Sequence, residues 1–355
     1  MDALIGESMD FYNNSTYQKA IIEIAKKLPV KKSGVLVTGA SGLIGSCLID
    51  TLLLANNELG CDFKVYALGR KREKLEKRFS YAKGDDRLNF IVQDICQPLD
   101  SAIDVQYIIH AASNADPVSY SLYPAQTLLT NIYGAANVLD FAKEKKGSKV
   151  LFTSTFETYG KIEGCESFCE SDFGTIDYNA VRSCYPESKR CAEILFRCYK
   201  EQYGVDFAIA RLGSVYGPTM DVNDSKAHAQ FIRNALGGED IVLKSEGKPV
   251  RTYLSVFDTV SGMFKVLFDG KSGEAYNISS DKCVASIAQV AQTVAEICGR
   301  KVVFDLPDEI EKKGFSKPQN SVLDGEKIKS LGWTAQYNLK QGMELTIAIL
   351  KELVD

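Results

Sequence analysis

Histidine is nearly missing from this chain: His110 and His228 are the only two among 355 residues. A Cys/His metal site would therefore have few ligands, and the ten cysteines do not fill the gap. They are scattered, and the closest pair, Cys165 and Cys169, lacks the usual zinc-ligand spacing. No metal is expected. Cys191 and Cys198 fall on one helical face beside Ile194 and Leu195, where reduced thiols would pack as small hydrophobes. Cysteines used in this way suit a reducing compartment, the cytoplasm. The opening "MDALIGESMD" has no basic stretch leading into an apolar core, so no secretory signal is read there. No apolar run reaches the length of a membrane-spanning helix. Positive charge is also in short supply, with Lys+Arg 42 against Asp+Glu 46 and a net charge of −4. Binding driven by phosphate neutralisation along a nucleic acid is disfavoured. Neither a nucleic acid nor a membrane is an expected partner.

What remains is an ordinary globular composition, 45% hydrophobic and 25% charged, sufficient for one large core or two merged lobes. Residues Ala20, Ile21, Ile24, Ala25 and Leu28 recur at helical spacing, so residues 1–32 read as a helical extension lying on the main domain. Apolar strands and amphipathic helices then alternate. The strands are "GVLVTGA", "FKVYALG", "LNFIVQD", "VQYIIHAA", "KVLFTST" and "VDFAIARLGSVYG". Continuous apolar strands alternating with helices imply an α/β fold, a doubly wound parallel sheet of Rossmann type covered on both faces. Residues 33–217 form this dinucleotide-binding domain. Beyond Pro218 the elements shorten, and residues 218–355 are expected to be mainly a smaller C-terminal α/β substrate lobe, with some late segments returning to the core.

"VTGASGLIG" sets Gly39, Gly42 and Gly45 between the first strand and the first helix. A pyrophosphate site needs a tight turn, close backbone approach and a helix N-terminus offering N–H groups, and glycines at this spacing provide them. At the end of the second strand, where an NAD-preferring site usually has a carboxylate, the chain reads "ALGRKR". Gly69 cannot bind a ribose 2′-hydroxyl through a side chain, whereas Arg70 could bind a 2′-phosphate, which leans towards NADP. Asp94, after "NFIVQ", is placed to meet the adenine edge. "YPESK" puts Tyr185 and Lys189 one helical turn apart on one face. A nearby ammonium favours the phenolate, so this pair can act as a general base. His110, in "IIHAA", reads as a packed, hydrogen-bonded histidine.

These residues make the chain resemble an extended short-chain dehydrogenase/reductase of the NAD-dependent epimerase/dehydratase family. The resemblance runs through TGxxGxxG at Thr38–Gly45, "DI" at Asp94, "HAAS" at His110, Asn131, Thr155, "YPESK", "RLGSVYGP", "RTYLSVFD" and "LDGEKIKSLGW". It implies an NAD(P)-dependent enzyme acting on a nucleotide sugar and working as a homodimer. The family itself leans towards NAD. The dinucleotide would be lined by Gly39, Ser41, Gly42, Leu43, Ile44 and Gly45, by Arg70, Asp94 and Ile95, by Ala111, Ala112 and Ser113, and by Asn131, Tyr185, Lys189 and Leu212. Tyr185 would take a proton from a sugar hydroxyl as hydride moves to the nicotinamide. Lys189 would hold the ribose, and Thr155 would hydrogen-bond the same hydroxyl. Arg251 would neutralise the substrate diphosphate. Ser214 stands where many relatives have Asn against the nucleotide sugar.

The reaction turns on "TSTFETYG", Thr153 to Gly160. A 4,6-dehydratase typically shows Thr-Asp-Glu at this point, with the Asp protonating the leaving hydroxyl. Phe156, on the substrate side, cannot deliver that proton. Glu157 is kept as a catalytic candidate, with a structural role as its alternative. Thr-x-Glu-x-Tyr-Gly and "RSCY" (Arg182 to Tyr185) are similar to UDP-glucuronate decarboxylases. A C4 epimerase needs only Tyr185, Lys189 and Thr155. An epimerase or decarboxylase working through a transient keto-sugar is therefore the leading reading. Dehydratase, NADPH-dependent carbonyl reductase and non-catalytic dinucleotide sensor are the alternatives.

Overall fold

The computed structural model describes residues 9–29, 32–306 and 320–354. The opening residues 1–8, read above for a secretory signal, lie outside them. Asn14 caps α1 (Ser15–Ala25) by accepting from the Tyr17 N–H, and Tyr17, Ala20, Ile21, Ile24 and Ala25 form the helix's buried stripe. β1 (Lys32–Thr38) leads through the glycine loop into α2 (Leu43–Leu59), which ends at Gly60 in the left-handed region. Leu48, Ile49, Leu52 and Leu53 of α2 are buried, each worth about 1.5–3 kcal/mol. Next come β2 (Asp62–Gly69), α3 (Arg72–Arg78), β3 (Leu88–Val92) and β4 (Tyr107–His110). α4 (Pro117–Leu122) was not legible as a helix in "ASNADPVSYSL", although Asp116 caps it and Pro117 starts it. It ends at Tyr123, before the proline that opens α5 (Pro124–Glu144). β5 (Lys149–Thr155), α6 (Cys184–Tyr203) and β6 (Asp206–Leu212) complete this part.

"VDFAIARLGSVYG" proves to be two strands. β7 (Ser214–Tyr216) leaves the main sheet at Gly213, where an added Cβ would stand 2.6 Å from the Thr252 carbonyl oxygen. α7 (Ala227–Leu236), β8 (Ile241–Leu243), β9 (Val250–Ser255) and α8 (Val256–Asp269) follow. The remaining elements are β10 (Ala275–Ile278), β11 (Val284–Ser286), α9 (Ile287–Cys298), β12 (Val302–Phe304), α10 (Glu326–Ser330) and α11 (Leu339–Glu352).

Seven strands form the central sheet in the order β10-β6-β5-β4-β1-β2-β3, and every neighbouring pair runs parallel. The winding reverses between β1 and β4. That crevice, at the carboxyl ends of the strands, is where such sheets bind ligands. One core, with α1, α2 and α8, covers one face of the sheet, and a second, with α5 and α6, covers the other. A third cluster, built on α7, α9, α11 and β9, fills the later part of the chain. β10 and α8 nevertheless belong to the central sheet and its core. No helix among the described residues is long and apolar enough to cross a membrane.

Candidate active site

The glycine loop comes first. Gly39 takes φ +69°, and a Cβ there would lie 2.9 Å from the Ala111 oxygen and the Ala112 nitrogen. At Gly45 a Cβ would fall well inside contact distance of the Gly39 carbonyl oxygen. Gly42 is the N-cap of α2 and offers no side chain, so the first amides of that helix stay open for a ligand. Ser41, Leu43 and Ile44 line the same turn. This is a cradle with room for a pyrophosphate and none for a side chain. Gly45→Ala is expected to weaken NAD binding at least about tenfold, roughly 1.4 kcal/mol, in a calorimetric titration.

Behind the loop, Thr38 organises the end of β4. Its hydroxyl oxygen accepts from the amides of Ala111 and Ala112, each at 3.1 Å, and lies 2.8 Å from His110 Nδ1. Having accepted twice, the hydroxyl donates to Nδ1, so the neutral imidazole carries its proton on Nε2. Burial pushes His110 down to about 3, and the ring stays neutral as a packed residue. Ser113 donates to Asn131 Oδ1 at 2.8 Å. Asn131 donates to Ser188, and Ser188 to the Tyr185 carbonyl, again at 2.8 Å each. The 111–113 segment is thus tied to the helix that carries Tyr185.

The other cofactor candidates spread along the sheet edge. Arg70 is exposed at the end of β2. Asp94 accepts from the Cys96 amide and shapes the turn after β3, while Ile95 is buried against Gly134 of α5. Leu212 ends β6 directly opposite Thr155. A cavity of about 450 Å³ opens beside Ser41, Gly42 and Leu43, walled by Lys74, Thr219 and Asp221. The Thr219 hydroxyl donates to the Leu43 carbonyl, and Lys74 pairs with Asp221 at 2.9 Å, closing the later part of the chain over the loop. None of Thr155, Tyr185 and Lys189 lines this cavity.

Those three meet elsewhere. Tyr185 is 7% exposed. Burial raises its phenol well above the usual value, the Glu157 carboxylate raises it further, and the Thr155 side chain works the other way. Lys189 is 3% exposed and donates to the Thr153 carbonyl at 2.9 Å. Burial pulls its ammonium down to about 7, opposed by Glu193. Glu193 is held by Ser154 at 2.6 Å and by both ends of Arg211, at 3.0 and 2.6 Å. Lys189 is thus held by its bond to Thr153 near the end of β5.

Phe156 begins a short 3₁₀ turn and packs with Tyr159, Phe168 and Leu323. Glu157 accepts from Arg182 Nη2 at 2.7 Å. Arg182 and Tyr120 are the two site residues missed in the sequence. The Tyr120 ring stacks on Tyr185 at 5.3 Å, and the Arg182 guanidinium lies 4.4 Å from the centre of the Tyr120 ring. The signal for Arg182 was its place three residues before Tyr185; Tyr120 gave none. Arg251 sits in β9 with its Nε buried and without a hydrogen-bond partner, a donor left over for a ligand. Ser214 pairs with Tyr253 across β7 and β9. His228 bonds the Val215 carbonyl and is a structural residue. No group of three His, Cys, Asp or Glu placed to hold a metal occurs among the described residues.

One expectation needs correcting. Cys191 and Cys198 do not pack as hydrophobes but face solvent on α6, with Ile194 61% exposed beside them. The apolar face read from the spacing is the outward one. All ten cysteines are free thiols.

Comparison with known proteins now bears on this geometry. The model of the NAD dependent epimerase/dehydratase family matches residues 35–279. UDP-glucuronic acid decarboxylase 6 of Arabidopsis thaliana is 33% identical over 316 residues, covering 88% of this chain and 87% of its own. Among solved structures, a dTDP-glucose 4,6-dehydratase of Streptomyces venezuelae with NAD bound aligns with a TM-score of 0.73 at 26% identity. That alignment covers 90% of this chain and 97% of the other. The UDP-glucuronic acid 4-epimerase of Bacillus cereus, in complex with UDP-glucuronic acid and NAD, aligns with a TM-score of 0.75 at 23% identity, covering 90% and 99%. At that identity the likeness is one of fold.

Proposed function

Because the chain belongs to the NAD-dependent epimerase/dehydratase family and is an enzyme of the extended short-chain dehydrogenase/reductase group, we propose that it binds NAD(P) and converts a nucleotide-linked sugar through a transient keto-sugar. The reading best supported is decarboxylation of a UDP-linked uronic acid. The observation that carries it is that Thr155 and Glu157 both act on the Tyr185 phenol, with Phe156, not an acid, between the two in the chain. Similarity to the decarboxylase across 88% of the chain supports the same substrate class.

In this reading Gly39, Gly42, Gly45 and the α2 N-terminus hold the pyrophosphate, while Lys189 bonds the ribose. The nicotinamide, when bound, supplies a reversible hydride acceptor. Tyr185 removes the proton from the sugar 4-hydroxyl, and Thr155 holds that oxygen. Arg251 meets the substrate diphosphate as a forked cation. The 4-keto group then stabilises the enolate left when CO₂ departs, a step that needs no acid at residue 156. C4 epimerisation is the second reading, favoured because Thr155, Tyr185 and Lys189 alone suffice for it. Arg70, exposed at the end of β2, leans the cofactor choice to NADP, whereas the NAD in related structures leans it to NAD. Residues 33–217 would carry the dinucleotide and 218–355 most substrate contacts. The exposed apolar faces of α5 and α6, with Leu129, Tyr133 and Ile194, suit a homodimer, and the free thiols suit the cytoplasm.

The test is incubation with NAD or NADP and a panel of UDP-, GDP-, CDP- and dTDP-sugars including UDP-glucuronic acid, followed by mass analysis. Loss of the mass of CO₂ from UDP-glucuronic acid is the expected result. An unchanged mass with a new chromatographic peak would replace decarboxylation with epimerisation, and loss of the mass of water would replace both.

A further inference from the structure

Three side chains beside the proposed base, Glu157, Arg182 and Tyr120, are linked in a chain of contacts that ends on Tyr185. Glu157 lies in the 3₁₀ turn, Phe156–Tyr159, that follows β5, and its charge acts on the Tyr185 phenol. Arg182 lies in a 3₁₀ turn, Val181–Ser183, that feeds directly into α6. Its guanidinium donates to the Glu157 carboxylate at 2.7 Å and also lies 4.4 Å from the centre of the Tyr120 ring. Tyr120, from α4, stacks on Tyr185 at 5.3 Å with the planes 21° apart. The turn is pinned through Ser183, whose hydroxyl donates to the Asp177 carbonyl and whose amide donates to the Ala180 carbonyl. One cation therefore holds an acid and an aromatic ring, and both of these adjoin the phenol that has to ionise.

We propose that Arg182 is a positioning residue for Tyr185: it neutralises Glu157 and clamps Tyr120 against the Tyr185 ring, so that the phenol can release its proton within the working pH range. The inference rests on the reading of Tyr185 as the base. Each element packed around Tyr185 contributes a charge or a titratable group. Glu157 comes from the turn after β5, Tyr120 from α4, Arg182 from the turn before α6 and Lys189 from α6 itself, while Arg251 of β9 acts on Tyr120. Glu157 and Tyr120 oppose the phenolate and Arg182 favours it. Lys189 is turned to the Thr153 carbonyl, so the cation acting from the Glu157 side is Arg182. The Arg182 side chain is 48% exposed, and solvent screening keeps the expected effect moderate. Arginine suits the task because its planar group can pair and stack at once.

The experiment titrates the phenolate absorbance of the NAD-loaded protein, with Tyr185→Phe as the subtraction that isolates this one tyrosine. Arg182→Gln is expected to move the Tyr185 titration up by about half to one unit, a threefold to tenfold loss of phenolate at a given pH. The acid limb of the kcat profile should move in the same direction, because the active form is the phenolate. Arg182→Lys should recover part of the shift. Glu157→Gln should move the titration down, and the double variant Arg182→Gln/Glu157→Gln should return it close to the parent. An unmoved titration in Arg182→Gln, or a double variant as displaced as the single, overturns the proposal. Should Arg182→Gln fail to fold, Glu157→Gln still decides, since no downward movement there also overturns it. Full turnover by Tyr185→Phe would instead sink the reading of Tyr185 as the base and leave the titration readable.

Discussion

Tyr185→Phe is expected to lower turnover of the nucleotide sugar by about 10²–10⁴-fold, the range for loss of a positioned general base. The change removes one oxygen and keeps the ring. The stack on Tyr120 and the burial of α6 survive, so the loss should fall on kcat and leave NAD affinity within about twofold, well under 1.4 kcal/mol. The Thr155 hydroxyl still accepts from the Glu157 amide at 3.3 Å. The strand end therefore keeps its shape. The measurement is single-turnover conversion, read by mass, beside calorimetric binding of the cofactor. Parental turnover with the phenylalanine in place would mean that the proton leaves by another route.

Asp50→Ala is expected to destabilise the protein by about 3–5 kcal/mol, the usual cost of stripping one partner from a buried ion pair. Asp50 is fully buried in α2 and accepts from Tyr17 at 2.7 Å, from Tyr81 at 2.6 Å and from both terminal nitrogens of Arg78. The Arg78 side chain is 11% exposed, and its guanidinium is held over the rings of Phe11 and Phe79. Without the carboxylate that charge is buried and uncompensated, and two phenols lose their acceptor. α1, α2 and the segment after α3 are joined at this one group. Chemical unfolding should show a lower midpoint. Adding Arg78→Met should recover much of the loss, because an apolar side chain of similar volume needs no partner. A single variant within about 1 kcal/mol of the parent would show that water reaches the site.

Much of the fold was legible because its signals are local. A strand buried on both faces reads as a continuous apolar run, and a glycine loop announces a backbone that leaves no space for a Cβ. Tyr185 and Lys189 are neighbours on α6 by helical period alone, whatever surrounds them. The misreadings occur where contact is set at long range. "VDFAIARLGSVYG" looks like one strand because nothing local shows that Gly213 must pass the Thr252 carbonyl. That some late segments return to the core was expected, but not which: β10 pairs with β6 and completes the central sheet. Cys191 and Cys198 share a face with Ile194, but periodicity gives a face and not which side of it meets water.

The candidate site divides in the same way. Thr155, Glu157, Tyr185 and Lys189 were chosen for their chemistry and spacing, and the sheet brings three of them together at the end of β5. Which charges act on Tyr185 was beyond reach of the sequence, because Arg182 meets Glu157 from 25 residues away in the chain. The amino-acid sequence by itself determined the parallel α/β plan, the glycine loop and the candidate reacting groups, since each depends on neighbours along the chain. Only the tertiary structure decided the electrostatic setting of the base and the buried Asp50 junction. Those depend on burial and on partners from separate elements, which exist only after the chain has packed.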